Sequence, residues 1–147
     1  MLDRVISIEP GRGGTGLKAV SAADCPVPEG SPTDPALPGP IALHGLCTLA
    51  EMVLAEAGKR HPILEAAEEV TFLKTARPGQ VLNYSVAVVE SSRDSAVIEA
   101  EATLQGETAV RARLRYRLDG VVDDPLASGW RGLLKGVLSG EPPTILR

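Results

Sequence analysis

The residue with the clearest chemical potential is His44, the first polar side chain in a long apolar stretch, residues 41–58 (IALHGLCTLAEMVLAEAG). That stretch is predicted to form a helix, with His44 in its second turn. The positive end of the helix dipole disfavours a charged imidazolium there, so the ring would stay neutral and could act as a base. Alternatively, His44 is a buried histidine that bonds to the backbone of the preceding loop and serves only the structure.

Two further reactive side chains follow on the same predicted helix. Glu51 comes seven residues after His44 and therefore lies on the same helical face. Alternatively, Glu51 is a partly buried carboxylate that is paired at a subunit interface and serves only the structure. Cys47 has no base near it in the sequence and is interpreted as a small core residue. Cys25 and Cys47 are the only cysteines and have no metal-ligand spacing, so neither a disulfide framework, a metal site nor a cofactor is expected.

The helix that would carry these groups is apolar around nearly its whole circumference, which predicts burial on most sides. Pro40 suits its first turn, and Gly58 followed by two cationic residues predicts its end. The preceding residues, 24–40, contain six prolines, which exclude a helix interior or a central strand. A loop of this length in a compact domain usually carries function or is disordered.

Strands are predicted on both sides of the helix. In residues 110–118 apolar side chains alternate with Arg111, Arg113, Arg115 and Arg117, and alternation also indicates strands at 82–88 and 96–104. Shorter strands are expected at 2–8, 17–21 and 70–73, with the glycines of 11–16 in a turn. The order β-β-loop-α-β-β-β-β indicates an α+β protein, a single hot-dog domain whose antiparallel sheet wraps around one long hydrophobic helix.

One sheet cannot cover the far side of such a helix, so we expect a homodimer whose sheets join edge to edge. The hot-dog domain is expected over residues 1–120, followed by a C-terminal extension, residues 121–147, that packs on it. Within the extension, residues 126–138 (LASGWRGLLKGVL) are amphipathic at helical spacing.

Composition excludes several classes of protein. The net charge of −4 over 147 residues argues against general nucleic-acid binding, which needs an excess of Lys and Arg. The N-terminal residues MLDRVISIEPGRGG lack the apolar core of a signal peptide. No run approaches the roughly 18 apolar residues of a membrane span. A cytoplasmic protein is therefore expected.

Three stretches resemble the FabA/FabZ-type 3-hydroxyacyl-ACP dehydratases: MLDRVISIEPG at 1–11, PALPGPIAL at 35–43 and VTFLKTARPGQVL at 70–82. The resemblance covers roughly the first 118 residues and implies a ligand that is an acyl thioester of acyl carrier protein (ACP) or CoA. In that family a loop His removes the α-proton, and a helix acid from the opposite subunit helps the hydroxyl leave as water. Those two positions fall on Gly30 and His44 here, so the usual mechanism is not carried over.

Several hypotheses follow from the resemblance, and whether the chain is an enzyme stays open among them. His44 could pair with Glu29 or Asp34 of the loop in a swapped dyad. Glu51 or His44 could hydrolyse the thioester, as an acid on this helix does in hot-dog thioesterases. The chain could also be a non-catalytic partner of an active dehydratase paralogue. The substrate-binding positions implied are Gly30, Leu37, Pro38, Gly39, Gly45 and Thr48.

The arginine row on residues 110–118 has two interpretations. It could steer an acidic carrier protein towards this face by long-range electrostatic attraction. The alternative is cross-strand pairing with Glu99 and Glu101, which lie on the neighbouring predicted strand.

Overall fold

The computed structural model describes residues 2–26, 35–58 and 60–121. Within them one helix packs against a six-stranded sheet. The elements are β1 (Arg4–Glu9), β2 (Gly13–Ala19), a 3-10 turn (Ala22–Asp24), α1 (Gly39–Ala57), β3 (Arg60–Phe72), β4 (Val81–Ser91), β5 (Ser95–Leu104) and β6 (Glu107–Val121). The strand order is β1-β2-β4-β5-β6-β3, with every neighbouring pair antiparallel. The predicted α+β hot-dog architecture is confirmed.

The core lies between one face of the sheet and one side of α1, which contacts all six strands. Leu46, Leu49 and Val53 of the helix are 0% exposed. Alternate residues of the three central strands face them, which is why the period-two patterns predicted these strands well. The sheet side of the core consists mainly of Leu82, Tyr84, Val86, Ile98, Ala100, Ala102, Ala112, Leu114 and Tyr116.

The helix boundaries lie close to the predicted 41–58. Pro38 caps α1, and its carbonyl accepts from the amides of Ile41 (3.0 Å) and Ala42 (3.3 Å). Pro40 lies in the first turn, where the missing amide hydrogen costs nothing. By length and composition alone, α1 would also suffice to cross a membrane, a property that core helices of soluble proteins share.

The expected short strand at residues 70–73 is wrong in extent, because β3 begins at Arg60. Residues 60–69 do not alternate, and their Ala and Glu residues favour a helix by intrinsic propensity. β3 forms an edge of the sheet and pairs with β6, and the register of this pair shifts at three places. Glu69, at one of these bulges, has a left-handed φ of 52°. Pairing with β6 therefore determines this strand, rather than a pattern of its own.

The expected turn over residues 11–16 is also wrong in extent, because β2 begins at Gly13. A Cβ on Gly13 would lie 2.6 Å from the carbonyl oxygen of Val86, and one on Gly16 would lie 2.8 Å from that of Arg4. A side chain therefore does not fit at Gly13 or Gly16, where β2 passes between β1 and β4. The glycines therefore serve close backbone approach within the sheet, a role that turn propensity alone does not reveal.

The arginine row lies on the sheet face that points away from α1. Arg111 is 3.7 Å from Glu101 and Arg113 is 4.0 Å from Glu99, while Arg115 pairs with Glu68 of β3 at 3.5 Å. These contacts bear out the cross-strand pairing interpretation. Exposed pairs of this kind contribute at most about 1 kcal/mol each.

Candidate functional site

The side of α1 that faces away from the sheet carries two of the helix's titratable groups, His44 and Glu51. We call His44, Thr48, Glu51, Met52 and Ala55 the outer stripe. His44 is exposed and the other four are half-buried. His44 is thus not enclosed by its own subunit, so the geometry leaves the ring accessible to a ligand. The Thr48 hydroxyl donates a hydrogen bond to the carbonyl oxygen of His44 at 3.0 Å, so this hydroxyl is bonded to the backbone of its own helix.

Glu51 lies in an environment that strengthens it as a base. Burial raises the pKa of its carboxyl group, and the nearby His61 of β3 partly offsets that rise. Sequence analysis missed His61, because the strand that brings it towards Glu51 has no recognisable pattern. The only usable signal was its position directly after the predicted helix end.

Cys47 borders the outer stripe and is half-buried among core residues. The hydroxyl of Tyr116 donates to its carbonyl oxygen at 3.2 Å. Burial raises the pKa of the Cys47 thiol, which disfavours the reactive thiolate form. The geometry fits the packing interpretation rather than a nucleophile.

A largely apolar cavity of about 260 Å³ opens at the N-terminal end of α1. Leu37, Gly39 and Ala42 form its helix side. The ring of Phe72 covers Gly39 so closely that a Cβ there would lie 2.7 Å from two ring atoms. The opposite wall comes from Ala76, Leu82 and Val110. We call this cavity the entrance pocket.

The expected substrate-binding residues do not all meet at one place. Leu37 and Gly39 line the entrance pocket and Pro38 caps the helix beside it. Gly45 instead faces the sheet, where a Cβ would lie 2.8 Å from the ring of Tyr84. Thr48 lies on the outer stripe. The remaining expected positions, Glu29, Gly30 and Asp34, lie outside the described residues, so the swapped dyad stays a prediction.

Tyr84 is a buried side chain that sequence analysis did not single out. It is 1% exposed, and its hydroxyl has no hydrogen-bond partner among the described residues. Burial raises the pKa of this phenol, and the nearby carboxylates of Asp3 and Asp24 raise it further. The hydroxyl is therefore neutral, and its ring requires glycine at position 45.

A buried lysine joins three segments at the start of the proline-rich loop. Lys18 of β2 is 1% exposed, and its ammonium group lies 3.2 Å from the carboxylate of Asp24 and 3.6 Å from that of Asp3. Asp24 also accepts from the amide and hydroxyl of Ser21, both at 2.9 Å, and these bonds lower its pKa. The cluster anchors the chain just before residue 27. Sequence analysis missed it, since an inward lysine is rare unless it is paired.

The amino-acid sequence is similar to a known domain family and to known proteins. The sequence model of the FabA-like domain matches residues 1–113. The 3-hydroxyacyl-[acyl-carrier-protein] dehydratase FabZ of Desulfotalea psychrophila is 31% identical over 119 residues, which cover 78% of this chain and 79% of that protein. FabZ of Clostridium acetobutylicum is 28% identical over 121 residues, covering 80% and 86%.

Solved structures share the fold at low sequence identity. The Streptococcus mutans protein smu.793, bound to acetyl CoA, has a TM-score of 0.67 at 14% identity and covers 80% of this chain and 89% of its own. The PaaI protein of E. coli has a TM-score of 0.68 at 17% identity, covering 80% of each chain. A hypothetical thioesterase of Streptococcus pneumoniae with coenzyme A has a TM-score of 0.67 at 13% identity, covering 80% and 89%.

Proposed function

The chain belongs to the FabA-like domain family, and from this premise we propose that it binds acyl thioesters of ACP or CoA. The observation that carries the proposal is the entrance pocket, an apolar cavity of about 260 Å³ at the start of α1. His44 lies at the same end of α1, on its exposed face, and the polar side chains that line the pocket itself are Lys74 and Thr75. An acyl chain needs an apolar cavity, and its thioester needs a polar group beside it. The FabZ relatives, named for acyl-ACP dehydration, support this ligand class.

We further propose that the usual dehydration is lost or altered. By the resemblance, the dehydratase His falls on Gly30 and the acid on His44. A general acid or base typically contributes about 10²–10⁴-fold to the rate, and here both groups are replaced. The surviving role would be that of a binding protein or of a non-catalytic partner of an active paralogue, in the cytoplasm.

We propose that two copies pair through β3. This strand is 13 residues long and forms one edge of the sheet. Leu64 and Phe72 on it are 40% and 49% exposed in the single chain. An unpaired edge of this length with exposed apolar side chains favours pairing with another strand. Light scattering at micromolar concentration should give a dimer, and a stable monomer would contradict this arrangement.

Thioester hydrolysis is the second candidate function, favoured by the raised pKa of Glu51 and the proximity of His61. The Glu51 carboxylate would take a proton from water, and the resulting hydroxide oxygen would bond to the carbonyl carbon. The C–S bond would then break, and the leaving thiolate would take the proton that Glu51 had accepted from water. The raised pKa makes Glu51 the stronger base.

Turnover assays separate these functions. We expect the purified chain to produce no dehydrated product from 3-hydroxyacyl-ACP, as followed by mass spectrometry. Replacing both positions (Gly30→His with His44→Glu) should create measurable dehydration, whereas His44→Glu alone should not. Thioester cleavage that disappears in Glu51→Gln would establish the second candidate instead. Normal dehydration by the wild type, retained in His44→Ala, would show that the site lies elsewhere.

A further inference from the structure

The C-terminal half of the outer stripe borders an open groove of about 630 Å³. Thr48 and Met52 form its helix side, and the backbone and side chains of residues 2–6 form the other. Ile6, in this second wall, is 57% exposed. The groove lies between the outer stripe of α1 and β1, an edge strand of the sheet. It shares no lining residue with the entrance pocket, which lies at the N-terminal end of the helix.

The described chain ends near the C-terminal end of α1, at the edge of the sheet that lies opposite β1. Val121, the last residue of β6, pairs with Arg60 at the start of β3. Arg60 follows the end of α1 at Ala57 by three residues. The chain beyond residue 121 therefore departs from the C-terminal end of the helix, and 26 residues, 122–147, remain.

The sequence of residues 126–138 matches the surface in length and chemistry. Its larger apolar side chains recur at helical spacing: Leu126, Trp130, Leu133, Leu134, Val137 and Leu138. At about 1.5 Å per residue, a 13-residue helix is about 20 Å long, enough to span the C-terminal half of α1, which is about 14 Å from Thr48 to Ala57. Its cations, Arg131 and Lys135, complement the acidic Glu51 and Glu56 of α1.

We propose that residues 126–138 dock along the C-terminal half of the outer stripe of their own chain, from Thr48 to Ala55, and fill the groove beside β1. With the extension docked there, Met52 and Ala55 become buried and Glu51 becomes less exposed to solvent. The N-terminal end, with His44 and the entrance pocket, stays open to the partner subunit and to ligand. This inference does not rest on acyl-thioester binding.

Trp130, the only tryptophan in the chain, reports on the proposed contact. In the wild type without ligand, its fluorescence should have the emission of a buried indole and resist quenching by iodide. Met52→Glu on the stripe and Leu134→Glu on the extension should each shift the emission towards that of the urea-unfolded chain. Val89→Glu is the matched control, because Val89 is 45% exposed and lies on β4, away from the groove. It should leave the emission unchanged.

Several results would overturn the proposal. One is a wild-type Trp130 already exposed to iodide, or one unaffected by both variants. Shielding that vanishes on dilution would assign the groove to a second copy of the chain. Shielding that appears only with anionic lipid vesicles would assign the extension to a membrane surface. Urea midpoints of the variants show whether the domain still folds, and Leu134→Glu remains informative if Met52→Glu does not. Because no acyl ligand is present, failure here is distinguishable from failure of the proposed function.

Discussion

The two sides of α1 differ in how far the chain's own sheet covers them. The inner side, represented by Leu46, Leu49 and Val53, is 0% exposed and fully enclosed by the chain's own sheet. The outer stripe carries His44 and Glu51 and remains open in the single chain. The inner side therefore accounts for stability, whereas the outer side presents the titratable His44 and Glu51 on which the proposed functions depend. Substitutions on the two sides should have separable effects.

The largest expected contrast is between Leu49→Ala and His44→Ala. Removing a fully buried leucine side chain costs about 2–5 kcal/mol of unfolding free energy. An exposed histidine should change it by no more than about 0.5 kcal/mol. Urea denaturation measures both. A large loss of stability in His44→Ala would mean that the outer stripe is part of the core and would remove the distinction.

Gly45→Ala tests how tightly the inner side is packed. The added methyl group would lie 2.8–2.9 Å from the Tyr84 ring and hydroxyl. Overpacking of this kind costs about 1–3 kcal/mol, partly offset by about 1 kcal/mol of helix propensity. Gly58→Ala is the control, since a Cβ there meets no atom within 4 Å. Equal stabilities for the two variants would show that α1 can shift away from β4.

The smallest expected effects are changes of stability with pH, which have opposite signs for the carboxyl groups of Asp24 and Glu51. The pKa of Asp24 is lowered from its ordinary 3.8, so its contribution to stability is present above that value and lost as pH falls. The pKa of Glu51 is raised from 4.5, so its relative contribution is present below that value and lost as pH rises through the folded pKa. Glu51→Gln should therefore stabilise the protein more at pH 7 than at pH 4.

Asp24→Asn should do the reverse, destabilising at pH 7 and flattening the acid side of the stability profile. Urea midpoints across pH 3–8 compare the two variants. A shared sign would contradict the environments assigned to these carboxyl groups.

The sequence predicted the elements that carry their own pattern. α1 is a continuous apolar run between prolines and a glycine, and β6 alternates around four arginines, so both could be found locally. β3 could not, because its residues 60–69 take their conformation from pairing with β6. Helical spacing was enough to place Glu51 on the same face as His44. The position of its neighbour His61 depends on β3, which the sequence did not predict over residues 60–69. The burial of Lys18 could not be predicted, because the carboxylates that compensate its charge, Asp3 and Asp24, lie in other segments of the chain.

The central claim is that the open end of α1 binds an acyl thioester beside His44. Its most direct test is calorimetric titration of the purified protein with a hydrolysis-resistant 3-hydroxyacyl-CoA analogue. We predict saturable binding at one site per chain, weakened about tenfold in His44→Ala, the loss expected for one hydrogen bond of about 1.4 kcal/mol. Val89→Ala should bind as the wild type does. Absence of saturable binding, or equal affinity in wild type and His44→Ala, would contradict the account.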